Sequence, residues 1–585
     1  MKSYMKKVWW RYLLGISTLV LTTAADMFFP IVTMLIVDDV IIGKREDLLG
    51  RYLGYILLLG LVRTICQYVK EYNCDMAGCQ IAESMRVNLL RHMNYLSKSY
   101  YDRNNIGELM ARVKDDTGNV WDVMGFVGML SLEATLYLIG VIICMVKLHI
   151  GLALIPITFL PILAFFVMGM SRRLRKLYEN ISNKNAELTS VIEENISGVR
   201  VVKAFAREDY EIEKFDKQNE IYKESTLEQE FFMSGRDPLV HLIPGIMQAM
   251  VLLAGGILVI KGNITYGLLA AFLQYASAIV WPIRNMGWLT NAFSRGVASF
   301  KKVEKIMDEK PEIVGAERML AANENCENEN AENGNREKEN TDRAVGELKF
   351  EHVSLKFKEK QVLDDVSFSV TPGKTLGIMG ETGSGKSLLV SLIGRLYDPT
   401  DGRITIGGRD MKELSLNAVR GYSSIVTQEV FLFSDTIREN VSLGQKGAIP
   451  EVTIKKALDF ACASEFVEKL TEKEETVIGE RGIGLSGGQK QRLSMARAFA
   501  KDAEVLVLDD STSALDMETE KEVERQLRDK KGMAKVIIAH RISSVRSCDE
   551  ILVMKAGKIV ERGTHDELYK LHGAYYETCM AQCVS

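Results

Sequence analysis

Three stretches of this sequence, residues 148–171, 238–260 and 262–283, contain no Asp, Glu, Lys or Arg, and each is 22 to 24 residues long. About 20 apolar residues in a helix cross the hydrocarbon core of a bilayer, so these runs place helices in a membrane and exclude a wholly water-soluble chain. Three more apolar segments precede or interleave them, interrupted by Asp26, Arg63 and Glu133. The predicted spans are therefore 12–37, 52–72, 120–146, 149–171, 238–260 and 267–290. From about Glu347 onward no such run occurs, and short strand-like stretches alternate with helical ones, the pattern of an α/β domain.

Lys and Arg placement orients the spans. With the N-terminus inside, the inner stretches 1–11, 83–118 and 172–236 carry four, six and twelve basic residues, against three, one and one in the outer loops 38–51, 147–150 and 261–266. The two long inner connections have helical spacing, so the spans are expected to continue as helices into the cytosol. No cleavable signal peptide is expected, because the Lys-rich start runs straight into the first span. Nine cysteines show no zinc or redox spacing and are read as thiols. The four Asn-x-Ser/Thr sequons, at Asn180, Asn195, Asn263 and Asn440, are read as chance. A net charge of −4 gives no footprint for nucleic acid.

These observations divide the chain into a transmembrane domain (1–310), a linker (311–346) and a second domain (347–585). In the linker, thirteen of the twenty residues Asn323–Asp342 are Asn or Glu, a composition that builds no core.

Gly380-Glu381-Thr382-Gly383-Ser384-Gly385-Lys386-Ser387 fits the phosphate-binding loop pattern, with a strand candidate before it (Thr375–Met379) and a helix candidate after it (Leu388–Leu396). Glycines let the backbone wrap the phosphates of ATP, Lys386 reaches the β- and γ-phosphates, and Ser387 is placed to ligate Mg²⁺. Downstream, the apolar run Val505–Leu508 ends in Asp509, a second candidate for the same Mg²⁺. Between the two lies Leu485-Ser486-Gly487-Gly488-Gln489, followed by a basic helix start.

With a phosphate loop before it and Asp509 after it, this pentapeptide resembles the signature of the ATP-binding-cassette family. Six spans fused to one such domain resemble a half-transporter of the ABC exporter type: an α-helical membrane domain joined to an α/β cassette. The cytoplasmic stretches Tyr101–Leu109 and Gly198–Phe205 are similar to the family's two intracellular loops, whose coupling helices dock on cassettes. The resemblance implies further roles. Phe357 takes the place of the adenine-stacking aromatic, usually Tyr. Gln428 matches the glutamine that links Mg²⁺ and the attacking water to the membrane domain, and Gly479-Glu480-Arg481-Gly482 a loop near the intracellular helices. Ser513 to Asp516 match the D-loop, and His540 the switch histidine near the γ-phosphate. In this family ATP lies between the phosphate loop of one subunit and the signature of another, so a second half-transporter is an implied partner. The bilayer and a small amphiphilic substrate are the others.

One departure stands out. The position after Asp509 normally carries a catalytic glutamate, and here it is Asp510. Its carboxylate falls short by roughly 1.5 Å, one C–C bond, and a misplacement of about 1 Å can lower a rate on the order of 100-fold. The family's heterodimeric multidrug exporters contain a subunit with Asp here and an intact signature, and this chain is similar to it. A symmetric homodimer using Asp510 as base, a nucleotide-gated regulatory subunit with little turnover, and an importer are the competing readings. Asp26 and Glu133, acidic residues near mid-span, are expected either to line a cavity that favours cationic amphiphiles or to bond neighbouring helices. Trp281 and Trp288 are placed either in an aromatic wall of that cavity or in helix packing. The expected location is a bacterial plasma membrane, with the N-terminus and cassette cytoplasmic.

Overall fold

The structure is a computed structural model and describes residues 2–313, 344–445, 449–479, 482, 484–512, 514–530 and 532–584. The Asn/Glu-rich stretch 323–342 of the predicted linker lies outside the described residues, as do Glu480, Arg481 and Ser513. The chain forms two compact units, Met1–Met93 with Ile106–Asp308, and Asn94–Asn105 with Glu309–Ser585.

The first unit contains six helical segments long and apolar enough to cross a membrane: Tyr4–Ile42, Glu46–Tyr95, Ile106–Leu148, Ile150–Ser197, Glu208–Ile260 and Tyr266–Met307. Each predicted span overlaps one of them, and only 149–171 overshoots, by His149, which is the N-cap of its helix. Glu46–Tyr95 has 50 residues; at 1.5 Å per residue it is about 75 Å long, more than twice the thickness of a hydrocarbon core. The segments therefore run well past their apolar windows. Pro30, Pro156, Pro161, Pro238 and Pro244 sit inside helices, which packed neighbours and local backbone adjustment tolerate in membrane helices.

Apolar side chains gain little by leaving lipid for one another, so membrane helices are held by close backbone approach and polar links. Gly78 and Gly125 supply the first where the second and third segments cross: a Cβ on Gly78 would lie 2.7 Å from the Gly125 nitrogen. Asp38 supplies the second, accepting from the Gly267 N–H at 2.7 Å and the Thr265 hydroxyl at 2.5 Å. A core of Met27, Val141, Met145, Val251, Phe272 and Tyr275 fills the centre.

Both mid-span acids are ion-paired to the second segment. Arg63 Nε lies 2.6 Å from Asp26, and Lys70 Nζ lies 2.7 Å from Glu133. Lys70 is 3% exposed and also donates to Gln67 at 2.9 Å. A lone charge in lipid is costly, and pairing across helices relieves it.

The second unit is built on two sheets. One is antiparallel, in the order β2-β1-β4-β5, from β1 (Leu348–Phe357), β2 (Lys360–Val370), β4 (Asp401–Ile406) and β5 (Arg409–Asp410). The other has the order β10-β9-β3-β8-β7-β6, from β3 (Thr375–Gly380), β6 (Ser423–Val426), β7 (Val505–Asp509), β8 (Ala534–Ile538), β9 (Glu550–Lys555) and β10 (Lys558–Gly563). Within it β9, β3, β8, β7 and β6 are parallel. Strands covered on both faces need continuous apolar sequence, and every residue of β7, Val-Leu-Val-Leu-Asp, is buried. A separate helical cluster packs the helix Gly487–Ala500 on Glu451–Phe460 around Leu493, Ala496, Phe499 and Leu458. Asn440, one of the sequons, is buried there and bonded to Phe433 and Arg497, which closes it to modification.

The short helix Lys98–Arg103 belongs to this second unit. Arg103 pairs with Glu312, and Ser99 donates to the same carboxylate. No described cysteine is in a disulfide.

Candidate functional site

Ligands of open α/β sheets sit beyond the carboxyl ends of the parallel strands, and here three adjacent strands deliver the predicted residues to that edge. β3 runs into the phosphate loop, β7 ends in Asp509 with Asp510 just beyond it, and β8 is followed by Ala539 and His540. Register fixes their relation: Ile378 pairs with Ile538, and Ile538 with Asp509.

The loop needs its glycines at two points in particular. Gly380 has φ 155°, and a Cβ there would lie 2.2 Å from the Met554 carbonyl oxygen. Gly385 has φ 100°, and its Cβ would lie 2.7 Å from Leu363 Cδ2. Only glycine fits either place. The helix Lys386–Ile393 then starts directly from the loop, with its N-terminus open toward it.

Lys386 is 6% exposed and donates to the Gly380 carbonyl at 2.7 Å and the Glu381 carbonyl at 2.8 Å, bracing the loop from inside. Burial pushes its pKa down, while Asp509 and Asp510 pull it back up. Burial pushes the buried Asp509 carboxyl up; the Ser387 hydroxyl, which donates to it, opposes that rise, Asp510 adds to it, and Lys386 and His540 oppose it. Ser384 Oγ is buried with no hydrogen-bond partner inside the loop. A buried ammonium, a helix N-terminus and a partnerless hydroxyl fit the phosphates of a nucleotide. The Ser387–Asp509 pair is an oxygen-donor set suited to Mg²⁺.

Asp510 N–H donates to the Ile538 carbonyl at 2.8 Å, with φ 47° at Asp510. The main chain at this position is thus tied to β8. Glu381, Thr382 and His540 line a cavity of about 590 Å³ beside the loop, together with Tyr575 and Gln582.

The remaining predicted residues lie on other elements. Phe357 ends β1 with its ring edge-on to Tyr397, centroids 5.1 Å apart. Gln428 is exposed two residues past β6. Leu485 packs on the helical cluster. Ser486 caps the helix Gly487–Ala500 reciprocally with Gln489: its hydroxyl accepts the Gln489 N–H at 3.3 Å, and the Gln489 side chain accepts the Ser486 N–H at 2.8 Å. Gly488 faces the Ala514 carbonyl, so the helix abuts the D-loop. Asp516 caps the next helix, Met517–Asp529, accepting from the Thr519 N–H at 3.1 Å and hydroxyl at 2.8 Å, and those bonds hold its pKa low.

Residues 12–283 match the ABC transporter transmembrane region, and residues 363–513 match the ABC transporter family. The chain is 33% identical over 582 residues to the uncharacterized ABC transporter ATP-binding protein YknU of Bacillus subtilis (strain 168), covering 98% of this chain and 96% of that protein. The chain belongs to the ABC transporter family. The exporter is also 33% identical over 571 residues to the ATP-dependent lipid A-core flippase of Haemophilus ducreyi, covering 97% of this chain and 94% of the flippase. A bacterial Atm1-family ABC exporter with ATP bound shares its fold, with a TM-score of 0.79 over 100% of this chain and 99% of that one at 22% identity. As a half-transporter with a membrane domain fused to one cassette, the exporter hydrolyses ATP to drive transport.

Sequence reasoning missed three residues that this geometry makes important. Tyr397 joins Phe357 to the helix Lys98–Arg103. Lys70 sits on the margin of an apolar segment, and a lysine there is itself a signal that a partner acid exists. Gln582, near the C-terminus, carries no local signal.

Proposed function

We propose that the exporter chain is one half of a heterodimer in a bacterial plasma membrane, with its cassette cytoplasmic, and that its own ATP site is the slow one. Asp510 carries this reading. It stands where the family has a longer acid, and its main-chain bond to Ile538 opposes a backbone shift that would make up the missing methylene. The intact Leu485–Gln489 signature would complete the site on the partner. Ser387 and Asp509, with Gln428, would hold Mg²⁺, which supplies positive charge against the phosphates when bound. Cytoplasmic orientation rests on the Lys/Arg excess in the inner stretches.

The proposed cargo is amphiphilic and preferentially cationic. A cavity of about 660 Å³ in the membrane unit is lined by Lys70, Glu71, Asp75, Glu133, Phe126 and Trp281, among others. Lys70 neutralises Glu133, whereas Glu71 and Asp75 take hydrogen bonds from Gln67 at 2.5 Å and Trp121 at 3.2 Å. The lining therefore carries surplus negative charge beside aromatic faces, which suits an organic cation. Neither Asp26, spent on Arg63, nor Trp288, which stands edge-on to Phe126, is among the lining residues. Relatives named as lipid A-core flippases keep lipids in the candidate range.

Purification of the full-length chain from its native membrane tests the assembly. A second, different half-transporter should co-purify, and Asp510→Asn should lower total ATPase less than about twofold. Near-complete loss of turnover from Asp510→Asn in a single-chain assembly would instead make the symmetric homodimer the correct reading.

A further inference from the structure

We propose that Gln582 positions the switch loop of this chain's ATP site, holding His540 where it meets the γ-phosphate. The inference rests on the reading of His540 as the switch histidine.

Three observations carry it. The loop from β8 to the helix Ile542–Val545 has no cap of its own, since Arg541 at the N-cap makes no capping hydrogen bond and its guanidinium instead faces Glu520 at 3.6 Å. Gln582 makes up that lack from 40 residues away: its Oε1 accepts the Ile542 N–H at 2.9 Å, and its Nε2 donates to the His540 carbonyl at 2.7 Å. One side-chain amide thus grips the main chain on both sides of Arg541 and fixes the peptide that carries the imidazole. The first N–H groups of a helix otherwise lack partners, so the bond to Ile542 satisfies a real deficit.

The element that bears Gln582 is itself anchored. The helix Ala574–Val584 begins on the Glu561 carboxylate, which accepts from the Ala574 N–H at 2.5 Å and the Tyr575 N–H at 3.0 Å. Tyr575 is buried, and its hydroxyl meets His565 Nδ1 at 2.8 Å. Tyr575 and Cys579 pack into a core with Met379, at the end of β3, and with Ala539, the residue before His540. The C-terminal helix is therefore tied to both strands that bound the nucleotide loop, and Gln582 is the polar contact it extends to the switch.

The test reads nucleotide preference rather than turnover, so a slow site does not mask it. Full-length exporter is photolabelled on this chain with azido-ATP, and competition by ATP and by ADP is compared for the unaltered protein, Gln582→Met, Gln582→Glu and His540→Ala. Gln582→Met keeps the side chain's length and removes both bonds; Gln582→Glu keeps the acceptor and removes the donor. Each should weaken competition by ATP about three- to tenfold, the range of one or two neutral hydrogen bonds, and leave ADP within about twofold. Equal weakening of ATP and ADP would make the helix merely structural and overturn the proposal, as would no change in either. If His540→Ala leaves ATP competition intact, the switch assignment itself fails.

Discussion

The Tyr397 hydroxyl donates to the Asp102 carboxylate while the Tyr397 ring stands edge-on to Phe357. The ring expected to stack on adenine is therefore one residue removed from the short helix Lys98–Arg103. Burial works against the Asp102 carboxylate, but hydrogen bonds from Lys98 and Tyr397 outweigh it and hold its pKa below the ordinary range. A depressed acid contributes docking stability above its unfolded pKa and loses it as pH falls through the folded value, so the link stands throughout the neutral range.

Tyr397→Phe keeps the ring contact and removes only the hydroxyl. ATP binding should stay within about twofold, while the stimulation of ATPase by transported substrate should fall several-fold, because a net hydrogen bond to a charged group is worth about 1.5–3 kcal/mol. Steady-state ATPase with and without substrate checks this. Undiminished stimulation would show that the contact transmits nothing.

Asp509→Asn should separate stability from function. Burial raises the folded pKa of Asp509 above its unfolded value, so its charge lowers stability at neutral pH; that cost is absent below the unfolded pKa and grows as pH rises through the folded one. A neutral isostere that still accepts from Ser387 removes the cost. Without nucleotide the cassette should melt about 2–4 °C higher, the shift expected for about 1 kcal/mol in a domain of this size. The further rise that Mg-ATP gives the unaltered protein should disappear. Scanning calorimetry reads both changes.

The two kinds of membrane acid should respond differently. Glu71→Gln removes surplus negative charge from the cavity and should reduce transport of cationic dyes more than of neutral ones. Asp26→Asn strands Arg63 and should lower the melting temperature with no preference between dye classes, since breaking one side of a membrane ion pair destabilises the fold. Vesicle transport of a matched dye pair decides it. Equal effects of Glu71→Gln on both classes would remove the cavity from the cation pathway.

Ser486→Arg replaces the cap of the helix Gly487–Ala500 with a residue that cannot cap. Loss of such a cap costs about 0.5–2 kcal/mol, and the added bulk stands where a nucleotide on the partner would sit. Total ATPase should fall by more than about tenfold, whereas photolabelling of this chain's own phosphate loop should persist. Loss of both together would indicate global unfolding.

The ATP site was readable in the sequence because its parts are local: a glycine pattern, a strand run ending in acid, and a histidine after a strand. The six helices were readable because lipid imposes charge-free length. Pairing between the helices was not, because Arg63 is 37 residues from Asp26 and Lys70 is 63 from Glu133, and no periodicity relates them. Asp516 shows a subtler gap. Its D-loop motif gives no sign that its carboxylate caps the helix that follows. Gln582 depends wholly on tertiary placement.

Arg63 and Lys70 stand seven residues apart on the second membrane segment, two helical turns, and reach opposite neighbours: Asp26 on the first segment and Glu133 on the third. The second segment thus supplies the cation for both. During synthesis it would enter the bilayer with two positive charges, one answered by a helix already made and one awaiting a helix still to come. Its stable integration should then depend on the third segment following promptly, so the first three helices are expected to insert as one unit. A stalled or truncated chain ending before Glu133 should be recognised by membrane quality control, and a shift of the second helix by one turn would break both pairs at once.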